Sequence, residues 1–312
     1  MNIQQLEYIL AVDKHRHFLK ASESCYITQA TLSAMIKKLE EELNVILFDR
    51  SKQPVQPTDI GKKIIEQAKV ALREIYRIQD IIHEDSGEIK GELRVGIIPS
   101  LAPYLLPLFL KSFLDTYPNV SLTINEYTTN EIQEKLKEGH IDVGLLAVPL
   151  LDKDLLEETL FYEEFLYYSD CDTLYKSKKY ILPKDVNPNK LLLLEEGHCL
   201  RNQIINLCEL RIKDTSSLNL NYQSGSIETL KRMVDLRMGC TILPELTITT
   251  LNEEQKRKLN RFEKPRPVRE IGLVTYRHFV KTKIIQALKK SILQSVPDTM
   301  LDKDFKEIIN LK

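Results

Sequence analysis

The chain has 312 residues, about twice the length that serves as a prior for one domain, so two or three domains are expected. With 43% hydrophobic and 29% charged residues it can build a packed core, which excludes a disordered chain. Lys+Arg 44 against Asp+Glu 45 leaves a net charge of −1, no apolar run approaches the ~18 residues of a membrane helix, and Met1-Asn2-Ile3-Gln4-Gln5-Leu6-Glu7 lacks the plan of a signal peptide, so a soluble cytoplasmic protein without membrane contact is expected.

The first ninety residues hold only Gly61 and Gly87 as glycines and read as almost continuous helix. Leu6, Ile9, Leu10 and then Phe18, Ala21, Cys25 recur at helical spacing. After the short break Cys25-Tyr26-Ile27, the stripe Leu32, Ile36, Leu39, Leu43 has intervals 4-3-4, one face of an amphipathic helix with Thr28 as its N-cap. Helix, tight turn, helix is the local reading. Residues 49–57 switch to turn chemistry and suit a hairpin or wing. A long helix follows from about Thr58 to His83, with Ile64, Ala68, Ala71, Ile75, Ile78 and Ile82 in a seven-residue repeat. That period implies a partner helix, the same helix of a second subunit, with packing on its own chain as the alternative.

A polar segment with two glycines, residues 85–91, marks a domain boundary. Beyond it, strand-like runs at 93–98, 122–127, 141–147, 190–194, 218–222, 241–243 and 271–276 alternate with helical patterns at about 101–117, 129–138, 199–208, 226–238 and 280–295. Such alternation predicts an α/β domain with mostly parallel sheets.

On the helix opened by Thr28, the side chains Gln29, Ser33 and Lys37 form a polar stripe at i, i+4, i+8, turned away from the apolar face. Gln pairs bidentately with adenine, Ser bonds to several base edges, and Lys reaches guanine or phosphate. Arg50 and Lys52 on the wing suit the DNA backbone or minor groove. Residues 14–63 hold nine basic against six acidic side chains, a modest bias. A solvated helix face is the competing reading of this stripe.

Five cysteines exclude a disulfide scaffold. Cys199 follows an apolar run and the turn residue Gly197, at the start of a helix, beside His198 and two residues before Arg201. Those features favour thiolate, while Glu195 and Glu196 oppose it. If 199–208 is helical, Cys199 and Cys208 lie about 13.5 Å apart along the axis, so a bridge between them requires the helix to melt. Two small buried hydrophobes are the alternative. A metal site at His198, Cys199 and Cys208 lacks zinc spacing and a fourth ligand, and no metal or cofactor is expected. Cys25 and Cys240 look like core residues, and Cys171 sits between two aspartates.

The segments Leu6-Glu7-Tyr8, His17-Phe18-Leu19-Lys20-Ala21-Ser22, Ile27-Thr28-Gln29-Ala30-Thr31-Leu32-Ser33, Lys38-Leu39-Glu40-Glu41-Glu42-Leu43, Leu47-Phe48-Asp49-Arg50 and Thr58-Asp59-Ile60-Gly61 together resemble the N-terminal domain of LysR-type transcriptional regulators. Ala30 stands where that family usually has proline. The resemblance implies an N-terminal all-α winged helix-turn-helix (1–58) and a long linker and dimerisation helix (59–90). It further implies a C-terminal α/β effector domain (91–312) of two Rossmann-like lobes related to periplasmic binding proteins, lobe I about 91–162 and 268–312 and lobe II about 163–267. DNA contacts are then expected from Thr28, Gln29, Thr31, Ser33, Lys37, Arg50 and Lys52.

Within the family, the stretch Gly197-His198-Cys199-Leu200-Arg201-Asn202-Gln203 with Cys208, and Ile98-Pro99-Ser100-Leu101-Ala102-Pro103-Tyr104, resemble the branch that senses hydrogen peroxide. That resemblance implies Cys199 as peroxidatic thiol and Cys208 as resolving thiol, with Ser100, Thr129 and His198 holding peroxide. Ser100 stands where threonine is usual, and both Ser100 and Thr129 also suit helix N-caps. It implies a homotetramer, DNA half-sites, RNA polymerase and a glutaredoxin-type reductant as partners, and a regulator rather than an enzyme. A metabolite-responsive regulator with its ligand between the lobes, and a thiol peroxidase, stay open as alternatives. Arg266 is a further candidate for balancing charge near the thiol.

Overall fold

Asn2 opens the first helix reciprocally: its Oδ1 accepts from the Gln5 amide at 2.9 Å, while its own amide donates to Gln5 Oε1 at 2.9 Å. In this computed structural model α1 spans Ile3–His15, α2 Phe18–Ser24 and α3 Gln29–Leu43. The structure describes residues 1–85, 88–170, 180–209, 225–277, 281–304 and 306–309, with backbone only for 73, 76–77 and 79–85. Ile9, Val12, Ala21, Leu32, Ile36 and Leu39 converge in one small core. The wing is the antiparallel pair β1 (Phe48–Asp49) and β2 (Gln56–Pro57).

The helix α4 runs Asp59–Asp85. Gly61 lets it pass the wing, since a Cβ there would lie 2.1 Å from the Leu47 carbonyl oxygen. Its first half belongs to its own domain: Ile65, Ala68 and Leu72 are buried in the N-terminal core, with Ile64 and Ala71 packed against it. Ala68 of the seven-residue repeat is therefore used within the chain, whereas Ile78 is 59% exposed. The Ile82 side chain lies outside the described residues.

Residues 1–86 and 87–312 form two separate units. The second contains β3 (Gly91–Ile97), α5 (Ala102–Thr116), β4 (Val120–Glu126), α6 (Thr129–Glu138), β5 (Val143–Val148), β6 (Leu155–Ser169), α7 (Cys199–Leu207), α8 (Ile227–Asp235), β7 (Cys240–Pro244), α9 (Glu253–Lys256), β8 (Leu259–Arg261), β9 (Arg266–Tyr276), α10 (Thr282–Ser295), α11 (Asp298–Leu301) and β10 (Lys306–Ile308). Strand order is β4-β3-β5-β9-β6-β7, with β10 beside β9 and β8 beside β6.

Among the described strands, parallel ladders join β3 to its two neighbours and β10 to β9, two isolated bridges are also parallel, and the remaining ladders are antiparallel. The mostly parallel expectation thus fails, because β6 and β9 are long strands that traverse the unit in opposite directions. β6 pairs with β9 through Glu164↔Val268 and with β7 from Phe165↔Pro244 onward, so one strand serves two sheets.

The run 190–194 is not a strand. Leu191 makes an isolated bridge to Cys240, and the Thr241 hydroxyl takes the Leu192 carbonyl at 2.9 Å, replacing a ladder bond. The expected strand at 218–222 lies outside the described residues, as does Cys171. No helix among the described residues is long and apolar enough to cross a membrane.

Candidate functional site

Leu191–Leu194 is buried, and the chain then turns at Gly197, whose φ of 95° favours glycine. His198 is the N-cap of α7 and Cys199 its first residue, both 8% exposed. Cys199 thus sits at a helix N-terminus, which has no side-chain cap. Arg201 does not spend itself on the thiol: its Nη1 donates to the Leu194 carbonyl at 2.8 Å and fixes the turn. His198 Nε2 lies 3.6 Å from Glu195 Oε1. Gly225, before α8, leaves room for this pair, since a Cβ there would stand 3.0 Å from Glu195 Oε1 and 3.8 Å from His198 Nε2.

Cys208 is the C-cap of α7, its amide donating to the Ile204 carbonyl at 3.0 Å. Cys199 and Cys208 are free thiols. The intervening helix holds them about 13.5 Å apart along its axis. Burial pushes the Cys208 thiol up to about 12, and neighbouring Cys240 adds to the rise. In this arrangement Cys208 is a protonated thiol and a poor nucleophile.

The structure corrects both N-cap readings. The cap of α6 is Thr128, in a capping box with Glu131, and Thr129 is the first helical residue. Thr129 is buried, and its hydroxyl has no hydrogen-bond partner among the described residues. The Thr128 methyl would lie 3.9 Å from a Cβ on Gly197, which puts the N-terminus of α6 against the turn that carries Cys199. The cap position of α5 is Leu101, so Ser100 is free of that task. Instead, Ser100 Oγ accepts from Arg269 Nη1 at 2.8 Å, and its carbonyl accepts from Arg269 Nη2 at 3.2 Å.

Arg269 is the site residue that sequence reasoning missed. It is fully buried on β9, and its Nε donates to Glu163 Oε2 at 2.8 Å, while the Leu246 amide donates to Glu163 Oε1 at 2.9 Å. The available signal was a pair of charged residues inside each of two apolar-flanked segments, Glu163 and Glu164 in 162–165 and Arg269 and Glu270 in 268–271, because buried charges require partners. Arg266, the residue singled out instead, pairs with Glu164 at 2.8 Å. A second missed contact ties α5 to α8: the Tyr104 hydroxyl donates to Glu228 Oε1 at 2.7 Å, and buried Lys231 reaches the same carboxylate at 2.8 Å. Among the described residues no three His, Cys, Asp or Glu side chains gather as a metal site.

In the N-terminal unit, Thr28 caps α3, accepting from the Thr31 amide at 3.2 Å, and the Thr28 and Thr31 hydroxyls bond to each other at 2.9 Å. Gln29 and Lys37 are exposed and Ser33 half-buried. Lys37 pairs with Glu41 at 3.7 Å and Lys52 with Asp49 at 3.8 Å. Arg50 is braced against α3: it donates to Ser33 Oγ at 2.9 Å and to Glu40 Oε2 at 3.0 Å, and stacks 4.9 Å above the Phe18 ring. The turn before α3 carries Tyr26, 95% exposed, at a φ of 56°.

Residues 3–62 match the bacterial regulatory helix-turn-helix protein family of the lysR type, and residues 86–297 match the LysR substrate binding domain. The chain is 34% identical to the hydrogen peroxide-inducible genes activator of Pectobacterium carotovorum subsp. carotovorum, over 88% of this chain and 90% of that protein. It is also 34% identical to the DNA-binding transcriptional dual regulator OxyR of Escherichia coli K12, over 88% and 89% of the two chains. Among solved structures, a full-length OxyR from Pseudomonas aeruginosa with a cysteine-to-aspartate substitution aligns with a TM-score of 0.78 at 30% identity, covering 95% of this chain and 99% of that one.

Proposed function

The chain belongs to the LysR family of bacterial helix-turn-helix regulators, and from that premise we propose that it regulates peroxide-defence genes as a member of the OxyR group, switched by hydrogen peroxide through Cys199 and Cys208. What carries the reading is the buried, unpartnered hydroxyl of Thr129, on a helix whose N-terminus meets the turn that carries the helix-terminal thiol. Thr129 Oγ1 is unpartnered, and Ser100, whose oxygen is taken by Arg269, keeps its own proton to donate. A small molecule of two oxygens satisfies both hydroxyls while presenting one oxygen to sulfur.

In the proposed reaction the Cys199 thiolate attacks one peroxide oxygen and the O–O bond breaks. The leaving hydroxide takes a proton to become water, and Cys199 becomes a sulfenic acid. Ser100, Thr129 and His198 orient the peroxide. Cys208 cannot resolve this species from its place at the end of α7, where it is both distant and protonated. Melting α7 brings the sulfurs together and takes Cys208 out of the burial that raised its pKa. The Cys208 sulfur then attacks the sulfenic sulfur, losing its proton as water departs. A dithiol reductant of the glutaredoxin type reverses the bridge in a reducing cytoplasm. We assign DNA contact to Thr28, Gln29, Thr31, Ser33, Lys37, Arg50 and Lys52. We further assign pairing of subunits to the later half of α4, where Ile78 is exposed, assembly to a homotetramer through the effector units, and the output to contact with RNA polymerase.

The test is thiol trapping. Reduced protein receives one equivalent of hydrogen peroxide, is alkylated, and its disulfides are mapped by mass spectrometry, with Cys199→Ser as control. A rapid Cys199–Cys208 bridge, absent from the control, is expected. Thiols that stay alkylatable for minutes would sink the peroxide reading in favour of a metabolite ligand.

A further inference from the structure

The segment after Val296 takes no part in the chemistry above, yet its Ile309 is bonded to the thiol helix. Its strand β10 lies parallel to the start of β9, with Lys306 opposite Arg266 and Ile308 opposite Val268. The next residue, Ile309, is bonded in two directions. Its amide donates to the Val268 carbonyl at 2.9 Å, and its carbonyl accepts from Gln203 Nε2 at 3.0 Å. Gln203 is fully buried in the middle of α7, between Cys199 and Cys208, and its Oε1 has no partner. Among the described residues the side-chain amide therefore has one bond, and that bond goes to the tail.

We propose that the edge of β9 at Arg266–Val268 is a strand-docking site whose occupant is the chain's own C-terminal tail, and that Gln203 ties occupancy of the site to the redox state of the thiols. The redox half rests on the Cys199–Cys208 switch proposed above. A disulfide needs Cα atoms within roughly 7 Å, and no straight α7 provides that, so Gln203 is carried away from Ile309 when the bridge forms. The tail then loses its bond to α7 and keeps the pairing of Lys306–Ile308 on β9, at the short end of the range for strands, with the Ile309 amide bond to Val268. Its departure uncovers unpaired backbone on β9 beside the Arg266–Glu164 ion pair. In the reduced protein the same contacts hold α7 helical and oppose bridging. The tail is thus a brake on oxidation and a segment released by it.

Hydrogen exchange on the full chain tests this, reading the Ile309 amide in reduced and peroxide-treated samples whose disulfides are mapped in parallel. Exchange at Ile309 is expected to quicken at least tenfold once the bridge forms. Unchanged exchange in bridged samples overturns the proposal and leaves the thiol switch standing. Gln203→Ala separates the two readings, because it needs no oxidant. It is expected to quicken Ile309 exchange about tenfold in reduced protein, the effect of losing one buried hydrogen bond. Wild-type protection in that variant removes Gln203 as the tie, whatever peroxide does. Thiols that never bridge under peroxide overturn the redox link, while release by Gln203→Ala in the same protein leaves the docking site standing. Should Gln203→Ala fail to fold, a chain ending at Asp304 serves: it should bridge its thiols several-fold faster, and an equal or slower rate rejects the brake.

Discussion

Arg269 Nη1 donates to Ser100 Oγ at 2.8 Å, and neither side chain reaches solvent beyond 3% exposure. The contact joins the loop after β3 to a residue of β9 that is also paired with Glu163 on β6. A fully buried guanidinium is costly unless its donors are used, and here Glu163, the Ser100 hydroxyl and the Ser100 carbonyl use them. The arrangement orients the Ser100 oxygen toward Arg269 and leaves its proton out of that bond.

Arg269→Met should therefore unfold the effector unit more easily by about 3–5 kcal/mol, since it strands the Glu163 carboxylate in the core. Burial already pushes that carboxyl up from its ordinary range, against the opposing pull of Arg269 and the Leu246 amide. Replacing both partners, Arg269→Met with Glu163→Leu, should recover most of the loss. Urea unfolding of the two variants checks this, and a double variant no more stable than the single one would refute it.

Thr129→Val keeps the shape and removes a hydroxyl that makes no bond. Stability should stay unchanged or rise slightly, because an unsatisfied buried polar atom has gone. The rate of Cys199 oxidation by peroxide should fall by about tenfold or more, the worth of one hydrogen bond to a polar ligand. Stopped-flow oxidation alongside thermal unfolding reads both quantities. A variant that unfolds earlier with an unchanged oxidation rate would make Thr129 a packing residue.

The Cys208 thiol is pushed up to about 12 by burial and by Cys240. Alkylation requires the thiolate, so labelling of Cys208 in the Cys199→Ser variant should climb with pH through 9 and 10 without a plateau. An ordinary exposed thiol levels off once past its own pKa of about 8.5. Peptide-resolved labelling rates across that range decide the matter, and a plateau below pH 9 would mean that Cys208 is not held in this environment.

Asp142 supplies the pH dependence of stability. Burial raises its pKa, but Arg94 through hydrogen bonds and charge, together with Lys281, lowers it further than burial raises it. A carboxyl depressed in the folded state contributes stability that is fully present above its unfolded value and is lost as pH falls through the folded one. The effector unit should accordingly lose stability as pH drops below about 4. Asp142→Asn should cost about 1.5–3 kcal/mol at neutral pH and flatten that acid limb; a limb of unchanged slope would assign the effect elsewhere.

Local signals in the chain located the helices well. Intervals of 4-3-4 from Leu32 and the hydroxyl of Thr28 gave α3, and the pattern at 129–138 coincides with α6. Long-range partners were not legible. β6 serves two sheets and carries Glu157, Glu158, Glu163 and Glu164, so no period-two alternation marks it. The burial of Arg269 depends on Glu163, over a hundred residues away, and the placement of Ile309 depends on Gln203 at similar separation. Nothing in the local sequence of 190–194 shows that a threonine hydroxyl replaces its ladder bond.

The recognition helix offers the last prediction. Lys37 pairs with Glu41 at 3.7 Å with both side chains largely exposed, a contact worth little, so its ammonium is free to move to phosphate. Lys37→Ala should weaken binding to specific and random duplexes alike and reduce the slope of log affinity against log salt by about one. Gln29→Ala should instead spare random duplex and lose about 1–3 kcal/mol of discrimination at one base pair. Arg50→Ala should behave as neither, because Arg50 is already engaged by Ser33, Glu40 and the Phe18 ring. Its loss frees the wing from α3, so it should lower the melting temperature of the N-terminal unit together with affinity. Binding isotherms at three salt concentrations, with melting curves on the same preparations, distinguish these patterns. Equal effects of Lys37→Ala and Gln29→Ala on specific and random duplexes would remove Gln29 from base recognition.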